Sequence, residues 1–382
     1  MDEYDVAVVG AGPAGAAAAL AARRAGARVL LLDREDFPRD KPCGDGIAPH
    51  VLDVLSRLGV PDAVAGYSPV PALRLVGPGG EHVARRVRRP AYTVPRTVFD
   101  ARLVAAAVTA GARLHRCTVR RLAARDGLVV LDGEIAARAV VGADGANSVV
   151  RRALGHGPNP DGHLAVAIRG YAVAPPDAPA EQRIVTSASR WPAYAWAFPI
   201  GDGTANVGYG EVLRGRPVTR AHLLERLGVL LPDVDPAAVT GLRAHHLPLS
   251  TRRPPPGRDR IVLAGDALSL INPFTGEGIF YAVLSGALAG TAAARSPGYA
   301  AARYTQALRH RLGRHLRHSS AAAWLARRRS IVDGAVVAAR REQRVFDTMV
   351  ELGLGDGLLD ARTLVAIARG TWGPSRSCSS GG

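Results

Sequence analysis

Three glycines, Gly10, Gly12 and Gly15, follow the spacing G-x-G-x-x-G, and an acid, Asp33, stands 18 residues beyond the third. Glycine at the first position permits a tight turn, at the second lets backbone approach a pyrophosphate, and at the third lets a helix pack closely on a strand. The helix start, opened by Pro13 with its fixed φ and followed by Ala14, offers the free N–H groups beyond the proline and a positive dipole end to phosphate, and Asp33 can accept from ribose hydroxyls. An acid rather than an arginine at that place favours an unphosphorylated ribose, hence FAD or NAD. The acid opens DREDFPRDKPCGDGIAPH (33–50), which adds Arg34, Arg39, Lys41 and a lone cysteine, Cys43. Basic neighbours favour a thiolate there. Asp45 and His50 are candidate proton relays, with a capping aspartate and a surface histidine the commoner readings.

These residues need strands and helices to hold them. YDVAVVG (4–10) is a continuous apolar run ending in glycine, AGPAGAAAALAARRAGA is helical, and RVLLLD (28–33) is a second strand. Two later stretches repeat the pattern of a strand running into polar residues. ARAVVGADGANSVVRRALG (137–155) runs into Asp144 and Gly145. DRIVLAGDALSLINPFTGEGIFYAVLSGALAG (259–290) runs into Gly265 and Asp266, then Pro273, Gly276, Gly278 and Ile279 at the start of a helix. Between them, LAVAIRGYAVAP, QRIVTSAS, AYAWAFPI and TANVGYG are short runs with partial alternation, as expected of an antiparallel sheet. The expected division is a discontinuous dinucleotide lobe (1–70, 97–159, 256–300), an antiparallel-sheet substrate lobe (71–96, 160–255), C-terminal helices (301–370) and a disordered tail (371–382).

The chain has 382 residues, 47 % hydrophobic and 21 % charged, enough to bury a large core. Its formal charge of +16 is almost all arginine, with Lys41 the only lysine, and reads first as codon usage rather than as a nucleic-acid signal. No zinc-finger spacing, RNA-binding aromatic motif or lysine run points to nucleic acid. Cys43, Cys117 and Cys378 are far apart, which argues against a disulfide framework or structural zinc. The acidic start MDEYD lacks the basic flank of a secretory signal, and the uncharged run at 279–294 suits a buried helix, so the expected place is the cytoplasm. Leu308, Leu312 and Leu316 recur at helical spacing among arginines. Such a helix packs on the first lobe in the favoured reading; peripheral contact with an anionic membrane is the alternative.

Taken in order, the three stretches resemble the fingerprints of single-FAD flavoenzymes built like para-hydroxybenzoate hydroxylase. That resemblance implies an α/β fold with a Rossmann-like FAD lobe, an antiparallel-sheet lobe and C-terminal helices. It implies that Asp266 holds the ribityl chain of FAD, that the Gly276–Gly278 turn presents a helix start to the flavin's pyrimidine edge, and that Val119, on the strand RLHRCTV, lies by adenine. A helix dipole there would stabilise anionic reduced flavin. No second glycine fingerprint follows a strand, so a nicotinamide, NAD(P)H, or another electron donor must visit transiently.

DREDFPRDKPCGDGI, YAWAFPIGDGTANVGYG (194–210) and PFTGEGIFYAVLSG (273–286) look like the geranylgeranyl reductase family of FAD enzymes, with CGDGIAP nearest its actinobacterial menaquinone-reducing branch. The resemblance covers roughly residues 4–350. It implies hydride delivery from reduced FAD N5 to an alkene carbon of an isoprenoid or similarly apolar chain, with water exclusion and placement supplying much of the rate. Cys43 is then nearest the isoalloxazine, where it tunes or gates the flavin, with Gly44 and Gly46 letting backbone approach and Asp45 beside them. Arg96 matches an arginine near the cofactor. Tyr194, Trp196 and Phe198 share one strand face and line a substrate tunnel, or simply pack as core. The main alternative is a flavin monooxygenase, a hydroxylase or epoxidase. Halogenases fit less well, lacking this strand and needing a catalytic lysine. A non-catalytic flavoprotein that carries a lipid is a third possibility.

Overall fold

The computed structural model describes residues 2–175, 177–189 and 191–372. A continuous apolar run needs cover on both faces, and the first strand has it: in Asp2–Val9, Val6, Ala7 and Val8 are wholly buried. It is central to a sheet whose strands run in the order Gly257–Arg258, Ile261–Leu263, Ile135–Gly142, Asp2–Val9, Val29–Asp33 and Arg113–Arg116. All neighbours are parallel except the first pair. A small hairpin, Leu122–Arg125 with Leu128–Leu131, continues antiparallel from Ile135–Gly142.

The second sheet has eight strands in the order Thr240–Pro248, Leu164–Val173, Thr204–Val212, Ala193–Pro199, Glu181–Thr186, Val70–Val76, His82–Thr93 and Gly46–Ile47. One feature departs from the purely antiparallel expectation, because Glu181–Thr186 and Val70–Val76 pair in parallel. A long excursion through the first sheet separates them, so the chain is free to re-enter in the same direction. Gly46–Ile47, from the cysteine loop, forms the edge beside His82–Thr93. That loop therefore runs from one sheet to the other.

Helix Pro13–Arg24 crosses helix Ile279–Arg295 against the first sheet. The crossing is nearly backbone on backbone: a Cβ on Gly286 or Gly290 would lie 2.0 Å from the carbonyl oxygen of Ala14 or Ala18 respectively. In the basic helix Ala300–Leu325, Leu308, Leu312 and Leu316 are buried in the core of the first sheet. This is the favoured packing; the leucine stripe is not available to lipid. Helices Arg329–Arg341 and Gln343–Leu354 place Val336, Ala339, Val345 and Phe346 against Leu73 and Val83 of the second sheet. No helix among the described residues is long and apolar enough to cross a membrane. The last helix, Ala361–Trp372, extends into the stretch expected to be a tail, while residues 373–382 with Cys378 lie outside the described residues.

The helix crossing can be tested. Gly290→Ala forces a methyl into the Ala18 carbonyl, and the fold should lose about 1–3 kcal/mol by overpacking. Urea unfolding checks it; a midpoint equal to wild type would show that the two helices separate at no cost.

Candidate functional site

The glycine turn sits where the first strand ends. Gly10 has φ +94°, and a Cβ there would approach the Ala143 carbonyl oxygen to 2.4 Å. Helix Pro13–Arg24 starts at Gly12 with no side-chain cap and no acid in its first turn, so its positive end is left for a ligand. Asp33 closes the neighbouring strand and accepts the Ala11 N–H at 2.7 Å and the Glu35 N–H at 3.0 Å. Of the two arginines expected beside it, Arg39 reaches the turn: its Nη2 lies 3.3 Å from where a Gly12 Cβ would be. Arg34 points to solvent, with its side chain 74 % exposed beside Glu35. Arg39 is held by Asp100 at 3.1 Å, and the same carboxylate grips Arg96 at 2.6 and 2.8 Å. Arg96 is buried rather than solvated, and it lines the cavity described below.

On the adenosine side, one expectation changes. The strand Arg113–Arg116 ends before Val119, because the Arg120 and Arg121 N–H groups turn to the Asp132 carboxylate; Val119 is buried in the irregular segment beyond. Asp144 is spent locally, accepting the Ser148 hydroxyl at 2.5 Å and the Val149 N–H at 2.6 Å at the start of helix Val149–Ala153. Its backbone, rather than its carboxylate, packs against the Gly10 turn.

On the other side of the first sheet, the strand Ile261–Leu263 delivers Gly265 and Asp266. Lys41 of the cysteine loop donates to Asp266 at 3.0 Å. Burial alone would raise the Asp266 carboxyl, but Lys41 and His245 outweigh it and hold it below its ordinary value. The turn Pro273–Gly278 follows, with Gly276 at φ +72° and a Cβ there only 2.6 Å from the Tyr194 hydroxyl. Tyr194 in turn donates to the Thr275 carbonyl. Glu277 accepts the Phe280 N–H at 2.8 Å, and burial pushes its carboxyl up to about 7 against that bond.

The two halves meet around a cavity of about 690 Å³. Lys41, Cys43, Gly44, Arg96, Asp266, Pro273, Gly276, Glu277, Gly278 and Ile279 line one part of it, with Pro13 at the edge. Tyr194, Trp196 and Phe198, on strand Ala193–Pro199, all face it, and Leu73, Ile184, Val336, Met349 and Leu354 extend it as an apolar chamber. Gly44 lies against the aromatic wall, where a Cβ would be 3.3 Å from Trp196 Nε1.

The cysteine loop differs from expectation in three ways. Burial pushes the Cys43 thiol above its ordinary value, only partly countered by Arg96. The basic neighbours that favoured a thiolate, Arg39 and Lys41, are instead neutralised by Asp100 and Asp266. Asp45 neither caps a helix nor reaches the cavity. It is wholly buried at φ +58°, and its Oδ2 accepts from the Tyr171 hydroxyl and the Asn206 amide, each at 2.8 Å. Asn206 also donates to the Cys43 carbonyl at 2.9 Å and accepts from Trp196 at 2.8 Å. Asp45 is therefore a positioning residue that ties the loop to the second sheet. His50 is no surface histidine either: its side chain is 13 % exposed and bonded to Glu351 at 2.9 Å.

Sequence reasoning missed Asp100, Tyr171, Asn206 and His245. Asp100 is four residues after Arg96, and Asn206 interrupts the apolar strand Thr204–Val212; both are signals of buried polar partners. His245 lines the cavity with its Nε2 unpartnered, and burial lowers its pKa to about 4.

Burial raises the Asp45 carboxyl to about 6 despite its two donors. A carboxyl raised on folding costs stability as pH climbs from its unfolded value towards its folded one, so this penalty is absent at low pH and complete above about 6. Asp45→Asn should therefore gain on wild type from about pH 4 to about pH 7, by about 3 kcal/mol at most. Urea unfolding at the two pH values checks it; parallel changes in both proteins would clear Asp45.

The uncapped helix end over Gly12, the Asp33 carboxylate and the Lys41–Asp266 pair together fit the phosphates, ribose and ribityl chain of FAD. Comparison with known proteins agrees. Residues 3–190 match the FAD binding domain family. A menaquinone reductase from Mycobacterium tuberculosis is 36 % identical over 315 residues, covering 75 % of this chain and 76 % of the relative. A digeranylgeranylglycerophospholipid reductase from Methanopyrus kandleri is 34 % identical over 309 residues, 76 % and 80 % of the two chains. In three dimensions, a geranylgeranyl bacteriochlorophyll reductase-like protein from Thermoplasma acidophilum superposes with a TM-score of 0.80 over 96 % of each chain, at 22 % identity. The flavin-dependent halogenase CmlS shares the fold, with a TM-score of 0.67, 20 % identity and 98 % and 71 % of the two chains covered. By its sequence relatives, the chain belongs to the geranylgeranyl reductase family of FAD-dependent oxidoreductases.

Proposed function

We propose that this enzyme reduces carbon–carbon double bonds in an isoprenoid chain, such as that of a menaquinone or a geranylgeranyl lipid. The observation that carries the reading is the apolar chamber of Leu73, Ile184, Val336, Met349 and Leu354, continuous with the Cys43 loop and the Lys41–Asp266 pair. A long hydrocarbon can lie in it without leaving polar groups unpaired. Bound FAD supplies the hydride. The residues assigned to hold it are Gly10, Gly12, Pro13, Ala14, Gly15, Asp33 and Arg39 towards the phosphates, and Gly265, Asp266 and the Gly276–Ile279 turn towards the ring.

The chain's own groups do the rest. Trp196, Phe198 and Tyr194 form a wall that excludes water and fixes the alkene's position, where placement contributes much of the rate for a poorly electrophilic bond. Glu277, with its carboxyl near 7, holds a proton for part of the population at neutral pH and faces the cavity, where the second alkene carbon needs one. Cys43 faces the same cavity as a neutral thiol, suited to contact rather than to nucleophilic attack. The only lysine is engaged with Asp266, which speaks against a halogenase. The electrons would come from a nicotinamide or another donor in transient contact.

Two experiments test this reading. With bound FAD reduced by dithionite under anaerobic conditions, addition of a prenylated quinone should reoxidise the flavin and yield a product heavier by two hydrogens. Reoxidation only on admission of oxygen, with an added oxygen atom, would replace the reductase by a monooxygenase. Separately, Gly12→Val and Asp266→Ala should purify with most of their flavin lost. Full yellow occupancy in both would remove these residues from the cofactor site.

A further inference from the structure

Trp324 is 63 % exposed, yet it lines the main cavity with Ala323, Ala326 and Arg327. The cavity therefore opens beside it. A large aromatic side chain kept at a mouth is disfavoured in water and favoured at the boundary between water and hydrocarbon.

The segment that carries Trp324 has charge of one sign. From Ser296 to Val332 the chain has eight arginines and no acidic residue. Codon usage that enriches arginine does not remove aspartate and glutamate, of which the whole chain has 33 in 382 residues. Arg317 stands seven residues before Trp324, on the same stripe of helix Ala300–Leu325, and is exposed. Arg327, Arg328 and Arg329 follow directly, all exposed, and none of the three forms an ion pair among the described residues. The buried leucines of this helix show that it does not lie flat on a surface by its apolar stripe. Its exposed face is polar along its length, and only its C-terminal end, at Trp324, adds a large apolar side chain to the exposed arginines.

We propose that the rim formed by Trp324, Arg317, Arg327, Arg328 and Arg329 docks on the anionic face of a lipid bilayer. A prenyl chain then passes from hydrocarbon into the cavity without crossing water. The arginines supply attraction to anionic headgroups and the tryptophan anchors at their depth. The inference rests on reading the cavity as a prenyl-chain site, but docking itself needs no substrate, so the two can fail separately.

The test uses the flavin-loaded full chain and substrate-free vesicles of phosphatidylcholine with or without phosphatidylglycerol. Wild type should sediment with the anionic vesicles and far less with the neutral ones. Arg328→Glu with Arg329→Glu should weaken binding on the order of tenfold or more. Brominated lipid should quench fluorescence in wild type and not in Trp324→Phe. The double variant should keep its turnover on a prenylated quinone dispersed in detergent while losing it on the same quinone in vesicles. No sedimentation of wild type, equal sedimentation of the double variant, or binding without quenching of Trp324 would each overturn the docking surface. Docking intact with no reduction of any prenyl chain would instead sink the reductase reading alone.

Discussion

Burying two opposite charges is costly unless they meet, and Lys41 and Asp266 meet at 3.0 Å at the point where the two sheets share a cavity. Much of the site depends on this contact. It brings the cysteine loop, which leaves the strand Val29–Asp33, over to the turn that follows Ile261–Leu263. From the second sheet, Arg169 binds Asp40 while Tyr171 and Asn206 bind Asp45. Residues 40–45 are thus held from both sides, and Cys43 faces the cavity between two anchors rather than from a free loop.

A second set of pairings prepares the phosphate side. Asp100 accepts from Arg96 and forms an ion pair with Arg39, so two guanidinium groups are oriented by one wholly buried carboxylate before any ligand arrives. A cation already fixed in place loses little rotamer freedom on binding an anion. Asp33 is likewise oriented, by the Ala11 and Glu35 N–H groups. The glycine turn, its acid and its arginine therefore form a receptor with few adjustments left to make.

Much of this was legible in the chain and some was not, for physical reasons. The fold class followed from local patterns: an apolar run ending in glycine, a helix of small residues and an acid at fixed spacing need no distant information. The aromatic alternation Tyr194, Trp196, Phe198 also placed three side chains on one face, as found. The state of Cys43 was not legible, since it depends on partners far along the chain: Asp100 and Asp266 withdraw the very cations whose nearness in sequence suggested a thiolate. Asp45 was misread for the same reason, because its donors come from residues 171 and 206. Arg34 and Arg39 look alike in sequence, and only the path of the loop turns one to solvent and the other to the glycine turn.

The order of strands also bears on how the chain is made. The first sheet includes Ile261–Leu263 and is covered by helix Ile279–Arg295, while the second joins Val70–Val76 to Glu181–Thr186 and Gly46–Ile47 to His82–Thr93. Pairings between such distant segments carry a large loop-closure cost and form late. A ribosome must release the helix Ile279–Arg295 before either the cofactor cradle or the chamber is complete. Val70–Val76 keeps an unpaired edge until Glu181–Thr186 emerges, and the alanine-rich helix Pro13–Arg24 lacks its cover until Ile279–Arg295 does, so the nascent chain is open to aggregation through much of its synthesis.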